Sequence, residues 1–382
     1  MKWLFMISFA LLAYTYAGYP LWLWLRAKLR PWPVRRGLVE PTISVVMVIR
    51  NEAVVLAEKL ENLLSLRYPA EKCQIVVVSD GSDDGTEGIL ARYKSVPQLR
   101  AVCKKTSAGK AAGLNDALKI ADGEILVFTD ARQKMESEAL RFLSENFAES
   151  EVGAVSGELM LGDAALGETG QGMGLYWRFE KRIRELESAS GSVVGATGAI
   201  YAVRRELAMD VPADTILDDV YVPMHVAKQG FRVLFDGRAK AWDSPDLGAD
   251  REFRRKVRTL TGNYQLFQLA PWLLSRKNPL RFEFISHKLM RLLAPLFLLG
   301  MLVGSGFAPG STFRVLFWAQ IAFYFFGLLP YLKFDLGPAS RICDVAYTFV
   351  ALNAAAVVAF SNYVTGNMRV WTQPGARREI TT

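Results

Sequence analysis

The sequence predicts an α/β protein, a doubly wound and mostly parallel sheet accompanied by one N-terminal and about three C-terminal membrane-spanning helices. Three observations point there. Residues 42–131 alternate short apolar, β-branched runs with helix-like stretches. Two long runs near residues 3–25 and 289–365 carry almost no charge. Hydrophobic residues make up 51% of the 382, and the mean hydropathy of +0.15 is high for a soluble enzyme.

The alternating region reads as β-α-β-α-β-α-β. Strands are predicted over 43–49, 74–79, 99–103 and 124–129, each apolar on both faces, as in a parallel sheet covered by helices. Helices are predicted over 52–65, 85–93 and 110–121, and such alternation implies double winding. Ligands of these sheets bind beyond the carboxyl ends of the strands. Polar and small residues gather there: Arg50-Asn51-Glu52, then Asp80 to Thr86, then Asp130-Ala131-Arg132. Each loop alone reads equally as a plain turn, but three at one edge make a site. Neither a Gly-x-Gly-x-x-Gly fingerprint nor a Gly-Lys-Ser/Thr phosphate loop is present, which counts against a dehydrogenase and an ATPase.

The first apolar run, from Trp3 to Leu25, lacks a small-residue cleavage site and has Trp and Tyr at its far end. A retained membrane helix is expected rather than a signal peptide. Further spans are expected at 289–305, 313–332 and 345–363, with breaks at Phe307-Ala308-Pro309-Gly310 and around Gly337-Pro338. The chain thus divides into a membrane helix over 1–28, a catalytic domain over 41–265, an amphipathic stretch over 266–288, a membrane region over 289–365 and a tail over 366–382. Arg26, Lys28, Arg30, Arg35 and Arg36 place the central domain in the cytoplasm by the positive-inside rule. Three more spans would put the tail outside, yet Arg369, Arg377 and Arg378 argue the reverse; the two arguments stand in conflict.

Formal net charge is +8. The excess flanks the apolar runs, which favours a membrane surface over nucleic acid, and no nucleic-acid motif is present. Cys73, Cys103 and Cys343 follow no metal spacing, and two histidines, His225 and His287, are too few for a histidine metal site.

Taken together the motifs resemble glycosyltransferase family 2, in the branch of membrane-bound cellulose, hyaluronan and chitin-oligosaccharide synthases. The order is that of the family: Pro41 to Glu52 for its opening strand, Val78 to Thr86 for its nucleotide loop, Gly109-Lys110-Ala111-Ala112-Gly113-Leu114-Asn115 for its helix start. Phe128-Thr129-Asp130-Ala131-Arg132 falls at Asp-x-Asp, Leu217-Asp218-Asp219 at Thr-Glu-Asp, and Arg255 to Thr259 at Gln-x-x-Arg-Trp. The resemblance implies a GT-A sheet in a bacterial inner-membrane protein, its catalytic domain cytoplasmic. It further implies inverting transfer of one sugar from a UDP-sugar to a lipid-linked or saccharide acceptor, with membrane lipids and no nucleic acid as partners.

The same resemblance assigns roles. Asp219 is the base, beside Asp218; a carboxylate suits an alkoxide-forming step, although the pair also reads as a cap for a helix over 220–229. Asp80 contacts the uridine, and Arg50 and Glu52 stand near the base. Lys110 either approaches the nucleotide or is a solvated helix-start lysine. Asp130 holds the donor, through ribose or through Mg²⁺ or Mn²⁺. Arg132 replaces the family's second acid; either it neutralises diphosphate directly and reduces the need for metal, or Asp130 binds metal with waters filling the other positions. Gly195-Ala196-Thr197-Gly198 lines the acceptor pocket, where small residues let a sugar approach the backbone. Arg255 and Arg258 supply cations for the diphosphate, but Thr259 stands where processive synthases carry Trp, so one-sugar addition is expected over polymer extrusion. A polyprenyl-phosphate sugar synthase and a catalytically degenerate scaffold are the other readings.

Overall fold

The computed structural model describes residues 1–163, 167–168, 171–243, 249–329 and 340–367. The expected break at Gly337-Pro338 and the tail arginines Arg369, Arg377 and Arg378 lie outside the described residues. The chain forms two compact units. A sheet unit comprises Val34–Ala165 and Gly195–Pro245; a helical unit comprises Met1–Pro33, Leu166–Val194 and Asp246–Gly366.

The strands, in chain order, are β1 (Ile43–Ile49), β2 (Cys73–Asp80), β3 (Leu99–Lys104), β4 (Ile125–Phe128), β5 (Lys134–Met135), β6 (Val152–Asp163), β7 (Gly167–Glu168), β8 (Tyr201–Arg204) and β9 (Arg232–Asp243). Along the sheet the order is β3-β2-β1-β4-β8-β6-β9-β5. The β3-β2-β1-β4 part is parallel throughout, and each of its strand ends lies within one residue of the sequence expectation. Val45, Val46, Val76, Val77, Leu126 and Val127 are fully buried, which is why β1, β2 and β4 are apolar on both faces; β3, expected to be alike, is the edge strand, and its Arg100, Ala101 and Cys103 are exposed. Helices Ala53–Leu64, Thr86–Arg92 and Lys110–Leu118 follow the first three strands. The last ends three residues before the expected position.

Beyond β4 the sheet departs from simple double winding. Strand β8 lies antiparallel between β4 and β6, and β6 pairs parallel with β9. The register between β6 and β9 shifts between Val152 and Ala154 and again between Ser156 and Glu158. Gly157 occupies the second shift because a Cβ there would collide with the Ala239 carbonyl and lie 2.8 Å from Ile200 Cγ2.

Among the described residues, four helical segments in the other unit are long and apolar enough to cross a membrane: Lys2–Leu29, Arg281–Phe307, Ser311–Leu328 and Cys343–Val364. The first two each contain one π-helical turn, Tyr14–Gly18 and Ile285–Leu289. Tyr14 Oη and Ser286 Oγ, one from each turn, share a hydrogen bond of 2.7 Å. Gly300 and Gly304, one helical turn apart, allow the helix Lys2–Ala13 to approach closely; a Cβ on Gly304 would lie 2.6 Å from the Phe5 nitrogen. Of the expected amphipathic stretch, Pro271–Leu274 forms a 3₁₀ turn, while Arg281 opens the second span. Phe284 is fully buried rather than turned outward, and Phe282 is 45% exposed.

A buried ionic network ties helix Gln171–Ser190 into the helical unit. His287 Nδ1 meets Glu187 Oε1 at 2.8 Å and its Nε2 meets Glu180 Oε2 at 3.2 Å. Arg291 pairs with Glu180, and Tyr19 donates its hydroxyl to Glu187 at 2.6 Å. Burial pushes both carboxyls up, but Arg291 and His287 beside Glu180, and His287 beside Glu187, outweigh it and hold both below the usual range.

Candidate active site

The carboxyl ends of β1, β2 and β4 carry the loops singled out in the sequence. Asn51 follows β1 with φ of 55°, a left-handed conformation that asparagine adopts more readily than most other non-glycine residues. Its amide donates to Asp83 Oδ1 at 2.8 Å, and the Asp83 N–H donates back at 3.0 Å. Asp84 accepts from Ala53 N–H at 3.0 Å and from Thr86. Asp83 and Asp84 therefore knit the first two loops together. Arg50 is exposed beside them, and Glu52 pairs with Arg132 at 3.1 Å.

Asp80 ends β2, 2% exposed. Its carboxylate accepts from Ser107 Oγ at 2.6 Å, Ala108 N–H at 2.9 Å and Gly109 N–H at 2.8 Å, with Lys104 Nζ at 3.4 Å. Burial pushes its pKa up, yet these donors prevail and hold it below the usual carboxylate range. Asp80 thus secures the loop that precedes Lys110. Gly81, at φ of +66°, leaves room for that loop, since a Cβ would lie 2.5 Å from the Ser107 nitrogen.

Lys110 begins helix Lys110–Leu118 and is 13% exposed rather than solvated. Its Nζ lies 3.0 Å from Asp130 Oδ1 and 3.2 Å from Asp218 Oδ1. Burial would strip its proton, but Asp130, Asp218 and Asp219 more than reverse this and raise its pKa.

Asp218 and Asp219 sit in the first turn of helix Asp218–Lys228, whose N-cap is Leu217 without a side-chain cap. The capping role read as one option does not occur, because both carboxylates turn elsewhere. Asp218 is 4% exposed and accepts from Tyr201 Oη at 3.4 Å. Asp219 Oδ2 accepts from Gly198 N–H at 2.9 Å, and its carbonyl accepts from Ala196 N–H at 2.7 Å. Thr197 N–H donates to Ser156 Oγ at 3.1 Å, and Gly195 adopts φ of +123°. The loop from Gly195 to Gly198 is therefore built around Asp219.

Gly198 is the point of convergence. A Cβ on it would lie 3.4 Å from Asp219 Oδ2 and 3.5 Å from Asp130 Oδ2. Asp130, Asp218, Asp219 and Lys110, scattered in the chain, thus surround one spot at the carboxyl edge. Asp130 is the open member, with 41% of its side chain exposed. Three carboxylates and one ammonium leave a formal charge of −2, and all the candidate ligands are hard oxygens, so the donor set fits Mg²⁺ or Mn²⁺. Among the described residues no three His, Cys, Asp or Glu side chains form a full cage. An ion would take Asp130 and complete its shell with substrate oxygens and water, the usual habit of Mg²⁺.

Arg255 and Arg258 lie on helix Ala249–Leu269 of the helical unit. Two contributors were missed in the sequence. Tyr201 stacks on Phe128 at 4.6 Å and contacts Asp218; burial, then Asp218, Asp219 and Asp130, keep its hydroxyl protonated. Nothing local in the sequence marks it. Lys104, at the end of β3, pairs with Asp80 and Asp116; its place at the carboxyl end of a strand, level with Asp80 on β2, was the available signal.

Comparison with known proteins gives three findings. A family model for glycosyl transferase family 2 matches residues 44–211. Poly-beta-1,6-N-acetyl-D-glucosamine synthases of Staphylococcus aureus and Staphylococcus epidermidis are each 24% identical, over 235 and 241 residues. These matches cover 59% and 60% of this chain and 55% and 56% of the relatives, so the chain spans about half their length. A mannosyltransferase from Pyrobaculum calidifontis, solved in complex with GDP-Man and Mn²⁺, shares the fold at a TM-score of 0.71 and 25% identity. That likeness covers 94% of this chain and 99% of the other.

Proposed function

We propose that the chain, whose residues 44–211 match a family model for glycosyl transferase family 2, is a glycosyltransferase that transfers one sugar, with inversion, from a UDP-sugar to a lipid-linked acceptor during glycan assembly. The observation that carries this reading is the convergence of Asp130, Asp219 and Lys110 beside Gly198. Asp219 takes the proton of the acceptor hydroxyl as that oxygen bonds to the anomeric carbon. The bond from that carbon to the diphosphate breaks on the opposite face, and the nucleotide leaves as a diphosphate. Gly198 leaves space for the acceptor against the backbone and aims Asp219 through its N–H.

Asp130 holds the donor, and Lys110 offsets one of the three carboxylate charges that would repel the diphosphate. Bound Mg²⁺ or Mn²⁺ would be held by Asp130 and would neutralise charge on the leaving diphosphate; the mannosyltransferase complex with Mn²⁺ supports this. Arg132, 62% exposed, is a further cation for the same purpose. Asp80 shapes the uridine side through the loop it secures, with Arg50 and Glu52 beside it. The basic cluster Arg26 to Arg36 supports a cytoplasmic catalytic unit at a bacterial inner membrane, in contact with its lipids.

A processive β-glycan synthase is the second reading, favoured by the likeness to poly-beta-1,6-N-acetyl-D-glucosamine synthases. Thr259 in place of an aromatic platform argues against it. The test is a panel of UDP- and GDP-sugars with the detergent-purified chain and lipid-phosphate acceptors, with and without Mn²⁺, scoring nucleotide release and product length. One UDP-sugar should be consumed and a single-sugar product formed. Long polymer would favour the second reading, and release only from GDP-mannose would overturn the donor assignment.

A further inference from the structure

The loop carrying Asp130 is gripped from beneath by a lysine. Lys59 sits on helix Ala53–Leu64 in line with Leu56, Leu60 and Leu63, on the face turned into the sheet unit, and is 2% exposed. Its Nζ donates to Thr129 Oγ1 at 2.9 Å and to the Gln133 carbonyl at 2.6 Å. These acceptors flank Asp130 and Arg132, so one ammonium clamps both feet of the loop. The Thr129 hydroxyl donates onward to the Ala199 carbonyl at 2.9 Å. Ala199 follows Gly198, whose N–H holds Asp219. A continuous line of hydrogen bonds therefore runs from Lys59 through Thr129 to the loop that aims the base.

Burying an ammonium against neutral oxygens is costly, and an apolar side chain of equal length would pack there at least as well. Burial lowers the Lys59 pKa to about 7, with Asp130 opposing the fall. Packing alone does not account for a lysine at this position, but geometry does: a single donor centre reaches two acceptors on opposite feet of one loop.

We propose that Lys59 is a positioning residue for sugar transfer, fixing the Asp130 loop relative to the Gly195–Ala199 loop and so setting the spacing between donor-holding and proton-accepting carboxylates. This rests on Asp130 binding the donor and Asp219 acting as the base.

The test uses the full chain in detergent with the accepted donor, and compares Lys59→Met, Thr129→Val, Thr129→Ser and their parent. Met keeps length and removes both Lys59 bonds; Val removes the Thr129 links to Lys59 and to Ala199 and leaves the Lys59 bond to the Gln133 carbonyl; Ser restores the hydroxyl. Lys59→Met and Thr129→Val should each raise donor KM about tenfold with kcat changed less than about threefold, the scale of a slightly displaced binding group. Thr129→Ser should return to parental KM, and the double variant should be no worse than its poorer single, since both cut one line. Thermal midpoints at neutral pH should not fall for Lys59→Met. Parental KM in both Lys59→Met and Thr129→Val would overturn the proposal, as would a loss of stability with unchanged constants. If Lys59→Met fails to fold, the Val and Ser variants decide alone. Asp130→Asn separates the two levels: parental donor KM there would sink the donor reading and this inference with it, whereas a raised KM with parental Lys59→Met would sink only the inference.

Discussion

Buried charge is handled in opposite ways in the two units. In the helical unit Glu180, Glu187, His287 and Arg291 close on one another, and Glu187 is fully buried. In the sheet unit Asp130, Asp218, Asp219 and Lys110 surround a point left open by Gly198, and Asp130 reaches solvent. Closed charges hold helices together, because removing one strands its partner in a poorly solvating interior. Open charges are left to meet something from outside. Two buried lysines sharpen the contrast: Lys110, facing three carboxylates, has its pKa raised, while Lys59, facing neutral oxygens, falls to about 7. The partner decides the sign of the shift, and burial acts equally on both.

The contrast can be broken most directly at Asp219. Asp219→Asn should cut turnover by about 10²–10⁴-fold, the range for loss of a general base, with donor binding and folding kept. Parental turnover would remove Asp219 from the base role. The mirror experiment is His287→Ala, which should cost about 3–5 kcal/mol of stability by stranding Glu187 and Glu180. Its readout is the thermal midpoint in detergent; a shift of under a degree would mean that the network carries no fold energy.

Lys59 gives a smaller effect with a definite sign. Its folded pKa lies below the unfolded value of 10.5. Below pH 7 both states hold the proton and the native state bears the full cost of burial. Between pH 7 and 10.5 the unfolded chain binds more protons, so stability rises with pH. Lys59→Met lacks this dependence, so its stability relative to the parent should decline by about 2.7 kcal/mol between pH 6 and 9. A constant difference would show the ammonium protonated throughout. The smallest effect belongs to the surface: Glu52→Gln, which breaks the pair with the 62%-exposed Arg132, should change stability by only about 0–1 kcal/mol.

Much of this was legible beforehand. The parallel strands β1 to β4 read out to within a residue; for β1, β2 and β4 burial on both faces demands unbroken apolar runs, whereas the edge strand β3 is largely exposed. Asp80 and Asp130 were visible as acids at strand ends, and the Asp218-Asp219 pair through the family resemblance alone. Lys59 was visible in principle, as a lysine at the spacing of Leu56, Leu60 and Leu63 on an otherwise apolar helical face. Tyr201 and the antiparallel insertion of β8 were not, because neither leaves a local mark.

What the sequence determined by itself is whatever depends on period and composition: the alternating unit, the spans and the acids in or beside the loops. What only the tertiary structure decided is which groups meet. Lys59 and Thr129 stand 70 residues apart, and Lys110 reaches Asp218 only because β8 returns antiparallel beside β4. Contacts between distant residues follow from strand order and register, and no local pattern encodes them.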